Sequence, residues 1–336
     1  MATLADIARE VGVSNKTVSL TLRGKRCSSE ETAKRIYEVA ERTGYLEKYA
    51  TRTKNMEPFS FIGFIADNVA TSPYSVELLR GAQAEAFACG RILLVGSFET
   101  ETQNLAGICR MFRSFKASGL IYASQHRQYV NRNDCFGDES VVYMNCTPVN
   151  SDGKIILPDD EKGGYLQASH LLELGHRNIA VISLPHEDPS TSLRLKGISK
   201  AMAKQGLTLN SDMCHLGVSG YFDFGETYIA YEKAKEVLTA PNRPSAIICG
   251  NDRIALMVVN AAADLGIKVP SELSVIGFDD FKTISENLRP KLTTVRMPYF
   301  EMGQRAVSEI VKGGSQSNFV NLISCELVER QSCAPI

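Results

Sequence analysis

The sequence predicts a small all-α head followed by a large α/β core of two lobes, each built on a doubly wound parallel sheet. Apolar residues recur with helical spacing up to residue 45, whereas from Ser60 onward short apolar runs alternate with amphipathic stretches that end at glycine. Such alternation is typical of parallel sheets covered by helices on both faces. Eight candidate strands would make a large single sheet, so we expect them to be divided between two lobes. The expected strands are 61–65, 92–95, 120–123, 141–145, 179–183, 246–249, 273–278 and 292–295.

The same patterns divide the chain into three parts. Residues 1–46 form the head, residues 47–59 form a linker or hinge helix of low apolar content, and residues 60–336 form the core. Each lobe of the core is expected to consist of two separate segments. These are about 60–160 with 291–320 for the first lobe, and about 161–290 with 321–336 for the second.

The composition argues against several classes of protein. No apolar run approaches the roughly 20 residues needed to span a bilayer, and the first residues lack the basic and apolar regions of a signal peptide. The nine cysteines are odd in number and include no C-x-x-C pair, which favours reduced thiols over disulfides or a zinc site. We therefore expect a cytoplasmic protein without a metal site.

Charge is distributed unevenly along the chain. The first 55 residues hold eleven Lys and Arg against seven Asp and Glu, a formal charge of +4, whereas the remainder carries −5 and the whole chain −1. A basic head on an acidic body is expected when only the head meets phosphate.

The head has the features of a helix-turn-helix. Thr3 with Asp6 forms a capping-box pattern before the first helix, Gly12 permits a tight turn, and Ser14 can cap a second helix over 15–22. In this motif the second helix enters the major groove of DNA and presents its first residues to the bases.

The second helix carries side chains suited to reading DNA. Asn15 can pair with adenine, Lys16 can reach guanine acceptors, and Leu20 can contact a thymine methyl group. A purely structural three-helix module remains the alternative interpretation. The short hydroxyl side chains suited to phosphate are Thr3, Ser14, Thr17 and Ser19.

Polar residues follow the apolar runs of the core, where ligands of open α/β sheets bind. Carboxylates, amides and a forked guanidinium suit a polyhydroxylated ligand in a cleft between lobes, and aromatic side chains can stack on a ring. Loop capping or a salt bridge is the alternative for Asp279 and its neighbour Asp280. The candidate ligand-binding residues are Tyr74, Asn145, Arg194, Phe222, Asn251, Asp252 and Asp279.

Catalytic and cofactor motifs are not found in the sequence. It contains no P-loop, no G-x-S-x-G and no G-x-G-x-x-G, so we expect no enzyme activity and no cofactor. The paired carboxylates Asp159 and Asp160 are interpreted as caps of the following helix.

Residues 3–19, Thr-Leu-Ala-Asp-Ile-Ala-Arg-Glu-Val-Gly-Val-Ser-Asn-Lys-Thr-Val-Ser, resemble the signature of the lactose/galactose repressor (LacI/GalR) family. The likeness continues in family order over nearly the whole chain. It implies a helix-turn-helix headpiece on a core like that of periplasmic binding proteins. The further matching stretches are 81–82, 172–179, 194–197, 251–255, 276–280, 292–295 and 326–330.

The resemblance implies a homodimeric transcriptional regulator, most often a repressor, that binds palindromic operator DNA and responds to a small effector. It places effector contacts at Arg194, at Asn251 or Asp252, and at Asp279. We expect a sugar or sugar acid, because Arg194 with Arg127 or His126 would accept a carboxylate or phosphate. A nucleobase or nucleoside is the second expectation, since the family includes such sensors.

The linker departs from the family pattern. The family's Ala-Arg-Ser-Leu is replaced by residues 51–54, Thr-Arg-Thr-Lys. The family's Leu wedges into the minor groove and kinks the duplex, which Lys54 cannot do. Arg52 and Lys54 are instead expected to contact phosphate or a narrow groove, and Leu20, where many members carry Arg, implies an altered base preference.

Two functions of other classes stay open at this point. A solute-binding protein would share the two-lobed architecture, but the head and the missing signal peptide argue against it. A sugar-acting α/β enzyme would need a nucleophile or an acid-base pair at the strand ends, and none is evident.

Overall fold

The computed structural model describes residues 3–22, 28–45, 60–73, 75–98, 103–131, 136, 141–149, 153–220, 227–313 and 319–336. The chain divides into two compact units, Met1–Ser60 and Phe61–Ile336. Within the described ranges, no helix is long and apolar enough to cross a membrane.

The first unit contains three helices, α1 (Leu4–Val11), α2 (Asn15–Leu22) and α3 (Glu30–Arg42). The predicted capping box is confirmed, because the backbone N–H of Thr3 donates to Asp6 Oδ2 over 2.8 Å and that of Asp6 donates to Thr3 Oγ1 over 3.3 Å. Gly12 ends α1 with φ +79°, in the left-handed region that glycine adopts without a steric penalty.

The headpiece has its own small core. Ile7, Val18, Ile36 and Ala40 are buried from the three helices, and they pack into one cluster. Tyr37 of α3 is 41% exposed, and its hydroxyl donates to the backbone carbonyl of Thr21 over 2.9 Å. The three helices therefore hold α2 by one face only.

The first sheet of the second unit has six parallel strands in the order β13-β5-β4-β3-β1-β2. Helices α4 (Val76–Ala88), α5 (Gln103–Ser114) and α11 (Tyr299–Val311) pack around it. The strands are β1 (Phe61–Asp67), β2 (Ile92–Phe98), β3 (Leu120–Val130), β4 (Val141–Pro148), β5 (Lys154–Pro158) and β13 (Phe319–Ile323).

The second sheet has the order β14-β12-β11-β10-β6-β7 and is parallel except for its edge pair β12–β14. Its helices are α6 (Asp160–Glu173), α7 (Pro189–Lys204), α8 (Ala230–Thr239), α9 (Asp252–Asp264) and the short α10 (Lys282–Ser285). The strands are β6 (Ile179–Ser183), β7 (Cys214–Leu216), β10 (Ala246–Cys249), β11 (Ser274–Asp279), β12 (Thr293–Arg296) and β14 (Glu326–Val328). A separate hairpin joins β8 (Val218–Ser219) to β9 (Thr227–Tyr228).

The division into lobes differs from the expected boundaries at β12 and, by three residues, at the end of β13. Residues 291–320 were expected in the first lobe, but β12 pairs with β11 and so lies in the second sheet. The chain then crosses to the first sheet with α11 and β13 and returns with β14. Three crossings therefore join the lobes: between β5 and α6, between β12 and α11, and between β13 and β14.

Helices α6 and α7 approach each other closely through glycine. A Cβ atom on Gly164 would overlap the backbone carbonyl oxygen of Arg194, and one on Gly197 would overlap that of Glu161. Only residues without a side chain permit this backbone contact. It brings the first turn of α6, which begins at Asp160, next to the turn of α7 that carries Arg194.

Candidate functional site

One candidate site is the exposed face of α2. Asn15 and Lys16 are exposed at its start, whereas Val18 on the other face is fully buried. Ser14 caps the helix, because its hydroxyl accepts from the Thr17 backbone N–H over 3.0 Å. The geometry predicted for a recognition helix, with polar side chains free at its amino end, is thus present.

The other predicted DNA contacts of the head are at least partly accessible. Ser19 and Leu20 are partly exposed on α2, and Thr3 is exposed at the start of α1. Hydroxyl groups and a cation can donate to phosphate and base acceptors. Arg52 and Lys54 lie outside the described residues.

The second candidate site is a cleft between the two sheets of the core, lined by residues of both lobes. It lies at the carboxyl ends of strands, where open α/β sheets bind ligands. A register shift between β3 and β4 at residues 123–128 turns the end of β3 towards it. The lining residues are Gln125, His126, Arg127, Asn145, Asp160, Leu184, Asp188, Ser190, Arg194, Tyr228, Asn251, Arg253, Asp279, Met297 and Tyr299.

Four of the predicted ligand-binding residues meet in this cleft: Asn145, Arg194, Asn251 and Asp279. Asp252 is not among the residues that line the cleft, and its buried carboxylate accepts from Thr294 Oγ1 over 2.6 Å and from the Phe281 N–H over 2.7 Å. Its position at the start of α9 aims the side chain at β12 instead. Tyr74 and Phe222 lie outside the described residues.

A buried carboxylate, Asp160, connects the two lobes at the floor of the cleft. Its Oδ1 accepts from Arg194 Nε over 3.0 Å, and its Oδ2 accepts from Arg127 Nη1 over 2.8 Å. Arg127 comes from β3 of the first lobe and Arg194 from α7 of the second. Because the Asp160 residue is only 1% exposed, its charge depends on these hydrogen-bonded cations for stabilisation in a low-dielectric position.

The Arg194 guanidinium is held by several contacts. Its Nη1 donates to the Gly250 carbonyl over 2.8 Å, and its central carbon lies 3.6 Å from the centroid of the Phe278 ring. A guanidinium held in this way presents its remaining edge to the cleft with little loss of rotamer entropy on binding.

Asp279 is the acceptor of the cleft. Its φ of +109° lies in a region that L-residues rarely adopt, as is common at binding sites. Among the described residues no donor is hydrogen-bonded to its carboxylate. Burial raises the pKa of this carboxyl to about 7, although the nearby Arg194 draws it down. Because no described donor occupies it, the Asp279 carboxylate can accept hydrogen bonds from the hydroxyl groups of a ligand.

Residues at and just before the start of α9 form a wall of the cleft. Asn251 caps this helix, because its Oδ1 accepts from the Ile254 N–H over 2.8 Å, and its Nδ2 donates to the Tyr228 hydroxyl over 3.4 Å. The Arg253 guanidinium lies over the Tyr228 ring, 4.5 Å from its centroid. Burial and the charge of Arg253 lower the pKa of His126, across the cleft, to about 4, so that imidazole is neutral near pH 7.

Several cleft residues were missed by sequence reasoning. Asp159 caps α6 as expected, accepting from the Lys162 N–H over 2.9 Å, but Asp160 forms the interlobe ion pairs instead. Asp188 caps α7 by accepting from the Ser190 N–H over 2.8 Å; its place before Pro189, a favoured first residue of helices, was the available signal. Within the described part of the chain, no group of three His, Cys, Asp or Glu residues could hold a metal ion.

A head with an open recognition helix, on a two-lobed core with a polar cleft, defines a DNA-binding transcriptional regulator that responds to a ligand. Comparisons with known proteins agree. Residues 3–47 match the family of bacterial regulatory proteins, lacI family, and residues 168–333 match the periplasmic binding protein-like domain.

Individual relatives extend this match over the whole chain. The HTH-type transcriptional repressor PurR of Photobacterium profundum is 28% identical over 99% of this chain and 98% of its own. The ribose operon repressor of Escherichia coli is 28% identical over 93% and 92%. The crystal structure of a LacI-family regulator from Rhizobium etli is 32% identical, covers 82% of this chain and 99% of its own, and superimposes with a TM-score of 0.75. The chain therefore belongs to the lacI family.

Replacing Asp160 by Asn tests the interlobe ion pairs. The variant leaves Arg127 and Arg194 without their shared counter-charge, so we expect the free energy of unfolding to fall by about 3–5 kcal/mol. Urea denaturation measures it. The matched control is Asp159→Asn, since Asn caps helices as well as Asp; equal loss in the two variants would contradict the role given to Asp160.

The pKa of Asp279 predicts a pH-dependent stability. The folded protein holds this proton up to about pH 7, whereas an ordinary aspartate has a pKa of 3.8. The stabilising contribution is therefore complete below the lower value and is lost as pH rises through the upper one. Arg194, Asp160, Asp188 and Arg253 are the charged groups around it.

Asp279→Asn stays neutral at every pH. In ligand-free protein its gain in melting temperature over the parent should therefore grow from about pH 4 to about pH 8. Thermal denaturation of both proteins across that range measures the difference. A gain that is constant, or that shrinks as pH rises, would refute the assignment.

Proposed function

We propose that the protein represses genes for the metabolism of a sugar or sugar acid, and that this small molecule binds the cleft and changes the affinity for operator DNA. The observation that carries the proposal is the polar set in the cleft. The Asp279 carboxylate, the Asn251 amide and the fixed Arg194 guanidinium suit the adjacent hydroxyl groups of a polyol. The similarity to the ribose operon repressor, a relative over 93% of this chain, supports a sugar.

On the DNA side, we propose that α2 lies in the major groove. Asn15 and Lys16 would contact base edges and Leu20 a thymine methyl group. The hydroxyls of Thr3, Ser14, Thr17 and Ser19 would hold phosphates, and Arg52 and Lys54 of the linker would add backbone or minor-groove contacts. Two headpieces would then read the two halves of a palindromic operator in the cytoplasm.

We propose that a homodimer forms through the edge of the first sheet at β2. This strand exposes Ile92, Leu94 and Val95, and the neighbouring helices α4 and α5 expose Phe87 and Met111. Contiguous apolar side chains on an open sheet edge favour association with a second copy, and a two-fold axis would give the half-site symmetry that a palindrome requires.

The ligand response would follow from differential binding. A ligand that contacts Asn145 of the first lobe together with Arg194 and Asp279 of the second binds one arrangement of the lobes more tightly than another. Such a ligand shifts the population of dimers between states of high and low operator affinity.

A nucleobase or nucleoside is the second candidate for the effector. It would require an aromatic platform, and the Tyr228 ring in the cleft already carries the Arg253 guanidinium. The polar set therefore favours the polyol. Two functions of other classes are tested by separate observations. Sequence-specific DNA binding would exclude a solute-binding protein. The absence of product after incubation with sugars would exclude a sugar-acting enzyme.

Paired variants test the two sites separately. Lys16→Ala should weaken the affinity for operator DNA by about 1–3 kcal/mol, roughly 5- to 150-fold. The affinity for unrelated DNA should change little, because the lost contact is to a base. Asp279→Ala should retain operator binding and lose the ligand response. Gel-shift titrations measure both, and parent protein that binds operator and unrelated DNA equally would disprove the proposal.

Leu94→Asp tests the dimer face. A carboxylate on β2, where Leu94 is 38% exposed, should dissociate the dimer, because charge buried in an apolar interface is strongly unfavourable. Sedimentation equilibrium gives the mass. Leu322→Asp is the matched control, since Leu322 is 52% exposed on β13 at the opposite edge of the same sheet. If the control became a monomer and Leu94→Asp remained a dimer, the interface would lie at β13 and the proposal for β2 would be contradicted.

A further inference from the structure

A second groove lies between the two lobes, and the proposed function leaves it unused. The first lobe contributes residues at the ends of β3, β5 and β13, and the second lobe contributes one face of α6 and α7. Arg127 and Asp160 line both this groove and the cleft, so their ion pair separates the two. Because Lys162, Lys200 and Lys204 line its other side, it is called the lysine groove below.

The Tyr165 side chain holds two ammonium groups in the lysine groove. The Nζ atoms of Lys162 and Lys204 lie 5.3 Å and 4.8 Å from the centroid of its ring. Lys204 Nζ also donates to the Tyr165 hydroxyl over 2.9 Å. Cations are attracted to the face of an aromatic ring. Two positive charges are therefore positioned beside one side chain before any ligand arrives.

Three carboxylates also line the groove, and each is engaged by other donors. Asp160 accepts from the two interlobe guanidinium groups, and Asp159 accepts from a backbone N–H at the start of α6. The Glu161 carboxylate accepts from Lys196 Nζ over 2.6 Å and from Lys200 Nζ over 3.1 Å.

Lys162 and Lys204 lack a counter-charge of this kind. In the part of the chain that the structure describes, no carboxylate forms an ion pair with either ammonium group; their contacts are with Tyr165. Two like charges held beside one ring repel each other. An anion that contacts both would relieve this repulsion.

The groove has a buried end and an open end. The Asp160 side chain is fully buried and that of Arg127 is 16% exposed, whereas that of Lys200 is 63% exposed. Concave sites of this kind suit a small molecule. Apolar side chains for its carbon skeleton are provided by Pro158 and Leu193.

We infer that the lysine groove is a second small-molecule site, separate from the cleft, for a compound with at least two negative charges. Lys162 and Lys204 bind its anionic groups, and Lys200 adds positive charge at the open end. Phosphate esters and polycarboxylates share this chemistry, and the experiment distinguishes them. The inference goes beyond the proposed function and does not require the effector of the cleft to be known.

The test uses the full-length protein with inorganic pyrophosphate and citrate as probes. Titration calorimetry at constant ionic strength measures the affinity and the stoichiometry, because salt screens exposed charges. We expect one bound probe per chain and a melting temperature that rises with probe concentration. Sodium chloride at the same ionic strength should not reproduce the rise. Tighter binding of pyrophosphate assigns a phosphate compound, and tighter binding of citrate assigns a polycarboxylate.

Variants then locate the site. The double variant Lys162→Gln, Lys204→Gln should weaken the better probe by roughly 10-fold or more, because two charged donors are lost. Tyr165→Phe keeps the ring but removes the hydroxyl that holds Lys204, so we expect a smaller loss. The matched control is Lys235→Gln, since Lys235 Nζ lies 5.3 Å from the centroid of the Tyr231 ring on α8, outside the groove.

Three results would overturn the inference: neither probe binds, the double variant binds the probe as tightly as the parent, or the Lys235→Gln control loses as much affinity as the double variant. The second result would assign the anion to another place, and the third would reduce the effect to net charge. Lys162 and Lys204 are exposed, so both substitutions should leave the fold intact. The melting temperature without probe checks this, and the two single variants replace the double variant if it does not fold.

Discussion

The buried charge of Asp160 is the constraint on which the core depends. A carboxylate removed from water must be matched by cations in good geometry, and here one comes from each lobe, Arg127 from β3 and Arg194 from α7. The glycine contact between α6 and α7 brings Asp160 and Arg194 together. The relative placement of the lobes is therefore coupled to the charge balance of the cleft floor, and a ligand that engages Arg194 acts on that balance directly.

The cleft is assembled mainly from side chains that also terminate helices. Asp188 and Asn251 cap α7 and α9 and line the cavity at the same time. Since a cap side chain is held by backbone N–H groups, its position is as rigid as the helix itself. Binding groups preorganised in this way lose little conformational entropy when the ligand enters. Because the same side chains cap helices and line the cleft, variants at these positions affect stability as well as binding.

Local features of the structure could be predicted from the sequence, and long-range ones could not. The capping box at Thr3, the turn at Gly12 and the exposed start of α2 follow from residues a few positions apart. The lobe to which β12 belongs is decided by its pairing with β11. The direction of the Asp252 side chain is set by its hydrogen bond with Thr294, 42 residues away.

We propose that the cleft and the recognition helix are thermodynamically coupled. A closed binding cycle with an effector found by screening tests this coupling: operator affinity is measured with and without effector, and effector affinity with and without operator. Linkage requires that the two affinity ratios be equal, and we expect each to differ from unity by roughly 5- to 150-fold. If operator affinity is unchanged at saturating effector, the cleft does not control DNA binding.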